Sequence, residues 1–444
     1  MNNFLSEIHH RILIYDGSKG VMLQRQGLKG DEAAESWNLS RPDDVREVYR
    51  AYQTAGSDVL QTNTFPGNRA ALEHYHLGEK TYELNYTGVK LAKEIAAEGS
   101  NWIAASSGPT GIMPYPLGEL TFDRAYQIFQ EQLTAFVDAG ADCVNFETFT
   151  DITELRAAIL AAKENTNLPV IASCSYDAGG KTLFGNPPQV CAIIAESLGA
   201  DLIGANCSTG PEGLVEVIKK LRSVATVPLQ VKPNAGLPEV TDGKVLFKDT
   251  PELFARYLKT FYESGVRLIG GCCGTTPEFI AAIKAEAAQL KADTFQPVSS
   301  ASYIASPQSF LLIGGPESHS IGWLALSEGD LANALATEDY QTVIDSARDL
   351  VFKGAALIYL DFANYGGQFN PMEFTANFTL NIKQPIVVRS ANPEMLARFI
   401  RYYPGKAGVV LADGTAPIIQ KYGCLAVDPG LWESSYMANQ VKLD

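Results

Sequence analysis

Histidine is scarce, with 5 in 444 residues, and none of His9, His10, His74, His76 or His319 follows a motif at the end of an apolar run. That argues against a histidine-ligated metal and against a Ser-His-Asp triad. Apolar runs long enough to span a membrane are missing, and the N-terminus, Met-Asn-Asn-Phe-Leu-Ser-Glu-Ile-His-His, lacks the basic-then-apolar order of a signal peptide. Positive charge is in deficit: 35 Lys and Arg against 50 Asp and Glu leave a formal charge of -15, with no basic stripe. Neither nucleic acid nor an anionic membrane is therefore an expected partner. The cysteines number seven, which is odd, and no export signal accompanies them. Reduced thiols in a cytoplasmic protein are expected rather than a disulfide framework. No dinucleotide-type or P-loop glycine motif stands out.

What is present is a hydrophobic content of 46%, enough for two sizeable cores. Eight short apolar runs stand out: Ile12–Tyr15, Val59–Thr62, Trp102–Ala105, Cys143–Phe146, Val170–Ser173, Leu202–Ala205, Leu229–Lys232 and Arg267–Gly270. Amphipathic stretches separate them, and several end in a glycine that can stop a helix, such as Gly140 and Gly265. Eight strand-helix units over residues 1–290 predict an α/β fold, a closed (β/α)8 TIM barrel. Residues 291–308, rich in Ser, Ala and Pro, read as a linker. Over residues 309–444 four more strands are expected, at Leu311–Ile313, Leu357–Leu360, Ile386–Val388 and Val409–Leu411. Four strands cannot close a barrel, so a smaller open α/β domain, half-barrel-like, is predicted there.

Polar and small residues cluster just after the apolar runs of the first domain, where a barrel builds its site. They include Asp16-Gly17, Asn63-Thr64, Ser107-Gly108, Glu147-Thr148, Asn206-Cys207 and Cys272-Cys273. Three thiols carried to strand ends, Cys207, Cys272 and Cys273, can hold one zinc ion and leave a position open. They can equally be small buried hydrophobes, as Cys143, Cys174, Cys191 and Cys424 read. Adjacent cysteines on a regular strand face opposite ways, so a shared ion requires a turn, and Gly270, Gly271 and Gly274 can supply it. Asp16 and Glu147 either cap their loops or hold an ammonium group at the barrel mouth. The segment Gly17-Ser18-Lys19-Gly20 can offer backbone N–H groups to a carboxylate.

With these residues assembled, the first domain resembles the homocysteine S-methyltransferase family. The matching runs are Asp16-Gly17, Gln61–Phe65, Ser107–Gly111, Glu147-Thr148, Gly204–Cys207, Pro233–Pro238 and Gly270–Pro277. The resemblance implies that Cys207, Cys272 and Cys273 bind zinc, and that Asp16 and Glu147 bind the amino group of L-homocysteine. Gly17 and Ser107, from the same motifs, join them as substrate-binding residues. Lys19 and Val21 depart from the family pattern, which usually has a hydrophobic residue and a hydroxyl there. The domain order is most like the front of cobalamin-dependent methionine synthases, where a methyltetrahydrofolate barrel follows the homocysteine barrel. Residues 309–444 would then be a partial pterin-binding-like domain. They depart at Gly314–Ser318 and Asp361–Asn364, and no folate-binding residue is assigned. No Asp-x-His-x-x-Gly corrinoid motif occurs in the chain.

The resemblance thus implies zinc-dependent methyl transfer to homocysteine, giving methionine, with methylcobalamin as donor supplied in trans by a corrinoid protein partner. S-methylmethionine, S-adenosylmethionine or betaine is the alternative donor. The second domain would serve in docking a partner or in forming a homo-oligomer.

Overall fold

A computed structural model of the chain describes residues 4–237, 239–241, 244–291, 293–298, 301–314, 319–363, 365–431 and 440–443. The described residues fall into two compact units. One comprises residues 1–113, 123–188 and 199–299, the other residues 114–122, 189–198 and 300–444. Among them, no helix is long and apolar enough to cross a membrane.

Eight strands form at the eight apolar runs: β1 (Leu13–Ile14), β2 (Val59–Gln61), β3 (Trp102–Ser107), β4 (Cys143–Phe149), β5 (Val170–Cys174), β6 (Leu202–Asn206), β7 (Leu229–Lys232) and β8 (Val266–Ile269). All pair in parallel, in the order β1-β8-β7-β6-β5-β4-β3-β2. A parallel bridge between Tyr15 and Val59 joins β1 to β2, and the N–H of Asp58 donates to the Ile14 carbonyl at 2.7 Å. The ring is closed, as the TIM-barrel expectation required. Gly140 and Gly265 take φ of 82° and 90° where helices stop before β4 and β8. Those angles belong to the left-handed region that a glycine enters without steric cost.

Successive side chains on a strand alternate between the barrel axis and the surrounding helices. Near the amino ends the inward set is apolar. Leu13, Val59, Ala104, Cys143, Ile171, Leu202 and Leu268 form one cluster with no exposed member. Helix α1 (Phe4–His10) completes it with Phe4 and Ile8, which lie one turn apart on its buried face. Further along the same strands the inward positions turn polar: Gln61, Ser106, Asn145, Glu147, Ser173, Gln230 and Lys232 bond to one another. The barrel is thus greasy at one end and hydrogen-bonded toward the other.

The second unit holds a parallel sheet of β9 (Ile321–Ala325), β10 (Leu357–Phe362), β11 (Ile386–Ser390), β12 (Gly408–Val410), β13 (Leu425–Val427) and β14 (Gln440–Val441), in the order β13-β12-β11-β10-β9-β14. From β9 to β13 each strand pairs with its successor, and the sheet stays open, as expected. Two details differ from the sequence reading. The run at Leu311–Ile313 is not the opening strand of the sheet. Phe310–Leu312 instead pairs antiparallel with Tyr303–Ala305 in a separate hairpin. The opening strand is Ile321–Ala325, whose apolar pattern is broken by Gly322; a Cβ there would lie 2.8 Å from the Cβ of Leu350. The sheet has six strands among the described residues rather than four, because β13 and β14 are too short to stand out as runs. Residues 315–318 and Asn364, from the two departing motifs, and Pro238 of the matched runs lie outside the described residues.

Candidate functional site

The three sulfurs come together. The Sγ atoms of Cys207, Cys272 and Cys273 all lie within 4.8 Å of one another, and among the described residues no other His, Cys, Asp or Glu joins them. Cys207 follows β6 in a left-handed conformation (φ 63°), as does Ser208 (φ 62°). Two consecutive non-glycine residues there cost about 1–2 kcal/mol each. The Cys207 N–H bonds the Lys232 carbonyl at 3.0 Å, and its own carbonyl accepts from Thr209 at 2.7 Å. Beyond β8, the Cys272 N–H donates to the Pro233 carbonyl at 2.8 Å and the Cys273 N–H to Asn234 Oδ1 at 3.1 Å. The loop after β7 therefore fixes both cysteine-bearing segments. Of the three glycines expected to turn the chain, only Gly274 is left-handed (φ 81°). Gly270 and Gly271 serve close approach: a Cβ would sit 2.3 Å from Tyr15 Cβ or 2.1 Å from Thr275 Oγ1.

The thiols share protons unequally. Hydrogen bonds from Cys272 and Cys273 draw Cys207 down to about 3. The same bonds keep the proton on its neighbours, with Cys272 pushed up to about 11 and Cys273 higher still. Three soft donors at this spacing, with no fourth protein ligand among the described residues, could hold a zinc ion and keep one position open. Cys143, Cys174 and Cys191 are buried elsewhere, and Cys424 is half-buried.

Beside the sulfurs lies a cavity of about 330 Å3, lined by Gly17, Lys19, Glu35, Gln61, Glu147 and Lys232 among others. Asp16 and Glu147 both face an ammonium group, but it is the chain's own. Lys19 pairs with Asp16, and Lys232 with Glu147, all four side chains being nearly or fully buried. Gln61 ties the two pairs together: its N–H donates to Asp16 Oδ2 at 2.8 Å, and its side-chain amide bonds both Glu147 and Lys232. Burial pushes Asp16 up and Lys19 down, each toward its neutral form, while their mutual attraction opposes both changes.

Gly17 lines the cavity, and a Cβ there would come within 2.9 Å of the Thr275 carbonyl. Ser107 is placed otherwise. Its hydroxyl donates to Gln132 Oε1 at 2.7 Å, on the helix Phe122–Ala139, outside the ring. Ser106, one residue earlier, points inward and bonds Glu147. Sequence reasoning did not single out Ser106, Gln61, Lys232 or Glu35. The two-residue period was available for the first three, since Val59, Ala104 and Gln230 mark the inward parity of their strands. Lys19 stands out in the sequence only within the Gly17–Gly20 turn and as a departure from the family pattern, and neither signals its pairing with Asp16.

With the geometry in hand, the likenesses are informative. A model of the family described as homocysteine S-methyltransferase matches residues 13–287. The methionine synthases of Mycobacterium tuberculosis and Mycobacterium leprae are each 29% identical over 94% of this chain, which spans 37% of the length of either. The metallated form of the homocysteine methyltransferase MmuM from Escherichia coli superposes with a TM-score of 0.52 at 25% identity. That match covers 62% of this chain and 96% of the other. The match spans the whole ring of strands and the segments that carry all three cysteines, and so the chain belongs to the homocysteine S-methyltransferase family.

Proposed function

We propose that this chain transfers a methyl group to the thiol of L-homocysteine, giving methionine, at a zinc ion held by Cys207, Cys272 and Cys273. The observation that carries the reading is the meeting of three sulfurs, from two strand ends, beside a charged cavity of amino-acid size. When bound, zinc supplies the Lewis acidity that keeps a fourth sulfur, that of the acceptor, deprotonated near neutral pH. The chain's residues do the rest. Gly17 lets the β1 end pack closely against Thr275, and Glu147, Lys19 and Lys232, with Asp16 paired to Lys19, give the cavity wall both signs of charge for a zwitterionic acceptor. Anchoring the polar end aims the sulfur, and such orientation is a large part of enzymatic acceleration. The sulfur lone pair forms the new S–C bond while the methyl–donor bond breaks and its electron pair leaves with the donor.

The donor in this reading is a methylated corrinoid supplied in trans, with a corrinoid protein as the partner. The resemblance to methionine synthases extends across both domains, which supports it. The test is homocysteine-dependent demethylation of methylcobalamin by zinc-loaded protein, followed by the visible spectrum under anaerobic conditions. Demethylation is expected. Transfer from S-methylmethionine or betaine without demethylation would overturn the donor, and full activity after chelation would overturn the metal.

A further inference from the structure

One ion pair of the site leaves donor capacity unused. Lys19 opens the helix Lys19–Arg25, whose first turn is capped by the Ser18 hydroxyl, 3.3 Å from the Val21 nitrogen. Its side chain is 10% exposed and pairs with that of Asp16, which is 2% exposed. Lys19, not Asp16, lines the cavity, so an occupant meets the lysine first. The other lysine is better satisfied: besides Glu147, Lys232 bonds Gln61 Oε1 at 2.5 Å and lies 5.0 Å from the centre of the Tyr15 ring. Lys19 Nζ is buried too, yet among the described residues it makes no hydrogen bond beyond its ion pair with Asp16. Its other neighbour is the Tyr52 ring, 5.5 Å away, which is held by a hydrogen bond from Tyr52 Oη to the Ser18 carbonyl at 2.9 Å. An ammonium has three N–H groups, and burying them without acceptors is costly. There is room for an acceptor beside it: a Cβ on Gly20, which also lines the cavity, would meet nothing within 4 Å.

An α-amino acid brings both groups that this pair can use. Its carboxylate is an acceptor for Lys19, and its ammonium is a replacement cation for Asp16. The two groups sit on one carbon, so both can insert at a single ion pair. We propose that Lys19 is the anchor for the carboxylate of the amino-acid acceptor, released from Asp16 as the acceptor's ammonium takes its place. The inference rests on the proposed function and adds the residue that selects a zwitterion. All four charges stay paired through the exchange. An amine without a carboxylate would free Lys19 with nothing to receive it, and an acid without an amine would strand Asp16. Burial penalises either unpaired charge, as it does in pushing Lys19 down and Asp16 up.

The experiment is calorimetric binding of three thiols to the zinc-loaded protein. They are L-homocysteine, 3-aminopropane-1-thiol, which lacks the carboxylate, and 4-mercaptobutanoate, which lacks the amine. No methyl donor is needed. Wild type should bind homocysteine at least about tenfold more tightly than either of the others. Lys19→Met should weaken homocysteine about ten- to a hundredfold, the loss of one charge-assisted hydrogen bond. 3-Aminopropane-1-thiol should bind this variant as well as wild type or better, because its ammonium then meets Asp16 without a competitor. That binding also shows the variant to be folded, and Lys19→Gln is the second neutral variant should Lys19→Met not fold. Equal weakening of homocysteine and the aminothiol would overturn the role of Lys19 while leaving the proposed function standing. So would homocysteine binding that is unchanged or tightened in the variant, or an aminothiol that binds wild type as tightly as homocysteine. Failure of the zinc-loaded wild type to bind any of the three thiols would remove the proposed function, and this inference with it.

Discussion

Asp16 and Glu147 look like free carboxylates at strand ends until their lysines are seen, and the pairing changes what a substitution should do. Lys232 and Glu147 are 2% and 4% exposed, so each is the other's main solvation. Lys232→Met leaves Glu147 buried without a counter-charge, and the expected cost is about 3–5 kcal/mol, read from urea unfolding midpoints. Adding Glu147→Gln to that variant should recover most of the loss, because the stranded charge is then gone. The cysteines behave differently, since Cys207 and Cys272 are only half-buried and Cys273 is exposed. Cys207→Ala or Cys272→Ala is expected to drop zinc from about one per chain to near zero, by elemental analysis, with the circular dichroism of the barrel retained.

Two element ends carry strain that places the site. Within β4, Thr148 follows Glu147 with φ 63°, and Asn206 at the end of β6 holds it from both sides. Asn206 Oδ1 accepts the Thr148 N–H at 2.8 Å, and its Nδ2 donates to Thr148 Oγ1 at 2.7 Å and reaches Cys272 Sγ at 3.8 Å. Asn206→Ala should therefore cost about 1–3 kcal/mol in stability. It should also weaken zinc retention about 10- to 100-fold in competition with a chelator, as loss of an outer-shell partner does. Most elements were legible because apolar runs and glycine stops are local signals. All eight barrel runs became strands, and Gly140 and Gly265 end helices. The strand Ile321–Ala325 was not legible, since its glycine answers to a distant side chain, Leu350. Ser107 stands in a family-like motif, but strand parity turns Ser106 inward to Glu147 and Ser107 outward to Gln132.

At the scale of the molecule, burial writes a pH dependence. Glu35 and Glu154 are both pushed up to about 7 by desolvation, against an ordinary value of 4.5. Between these values the folded chain holds more protons than the unfolded one, so stability is full below 4.5 and falls as pH rises through 7. For one group the gap is worth about 3 kcal/mol. Glu35→Gln should remove its share: the variant should exceed wild type by up to about 3 kcal/mol at pH 8, with the difference closing as pH is lowered toward 4.5. Unfolding curves at the two pH values measure it. Glu154 remains in both chains and cancels in the comparison. Strand positions, helix stops and the candidates at strand ends follow from patterns a few residues long, and these the amino-acid order states directly. The partners do not. Lys232 meets Glu147 across 85 residues and Cys207 meets Cys273 across 66. Glu35 meets no cation among the described residues, because the two lysines lining the same cavity, Lys19 and Lys232, are paired with Asp16 and Glu147. Who faces whom inside a closed ring depends on the register between strands, and register is set when all eight pair, so it has no signature in any short stretch of chain.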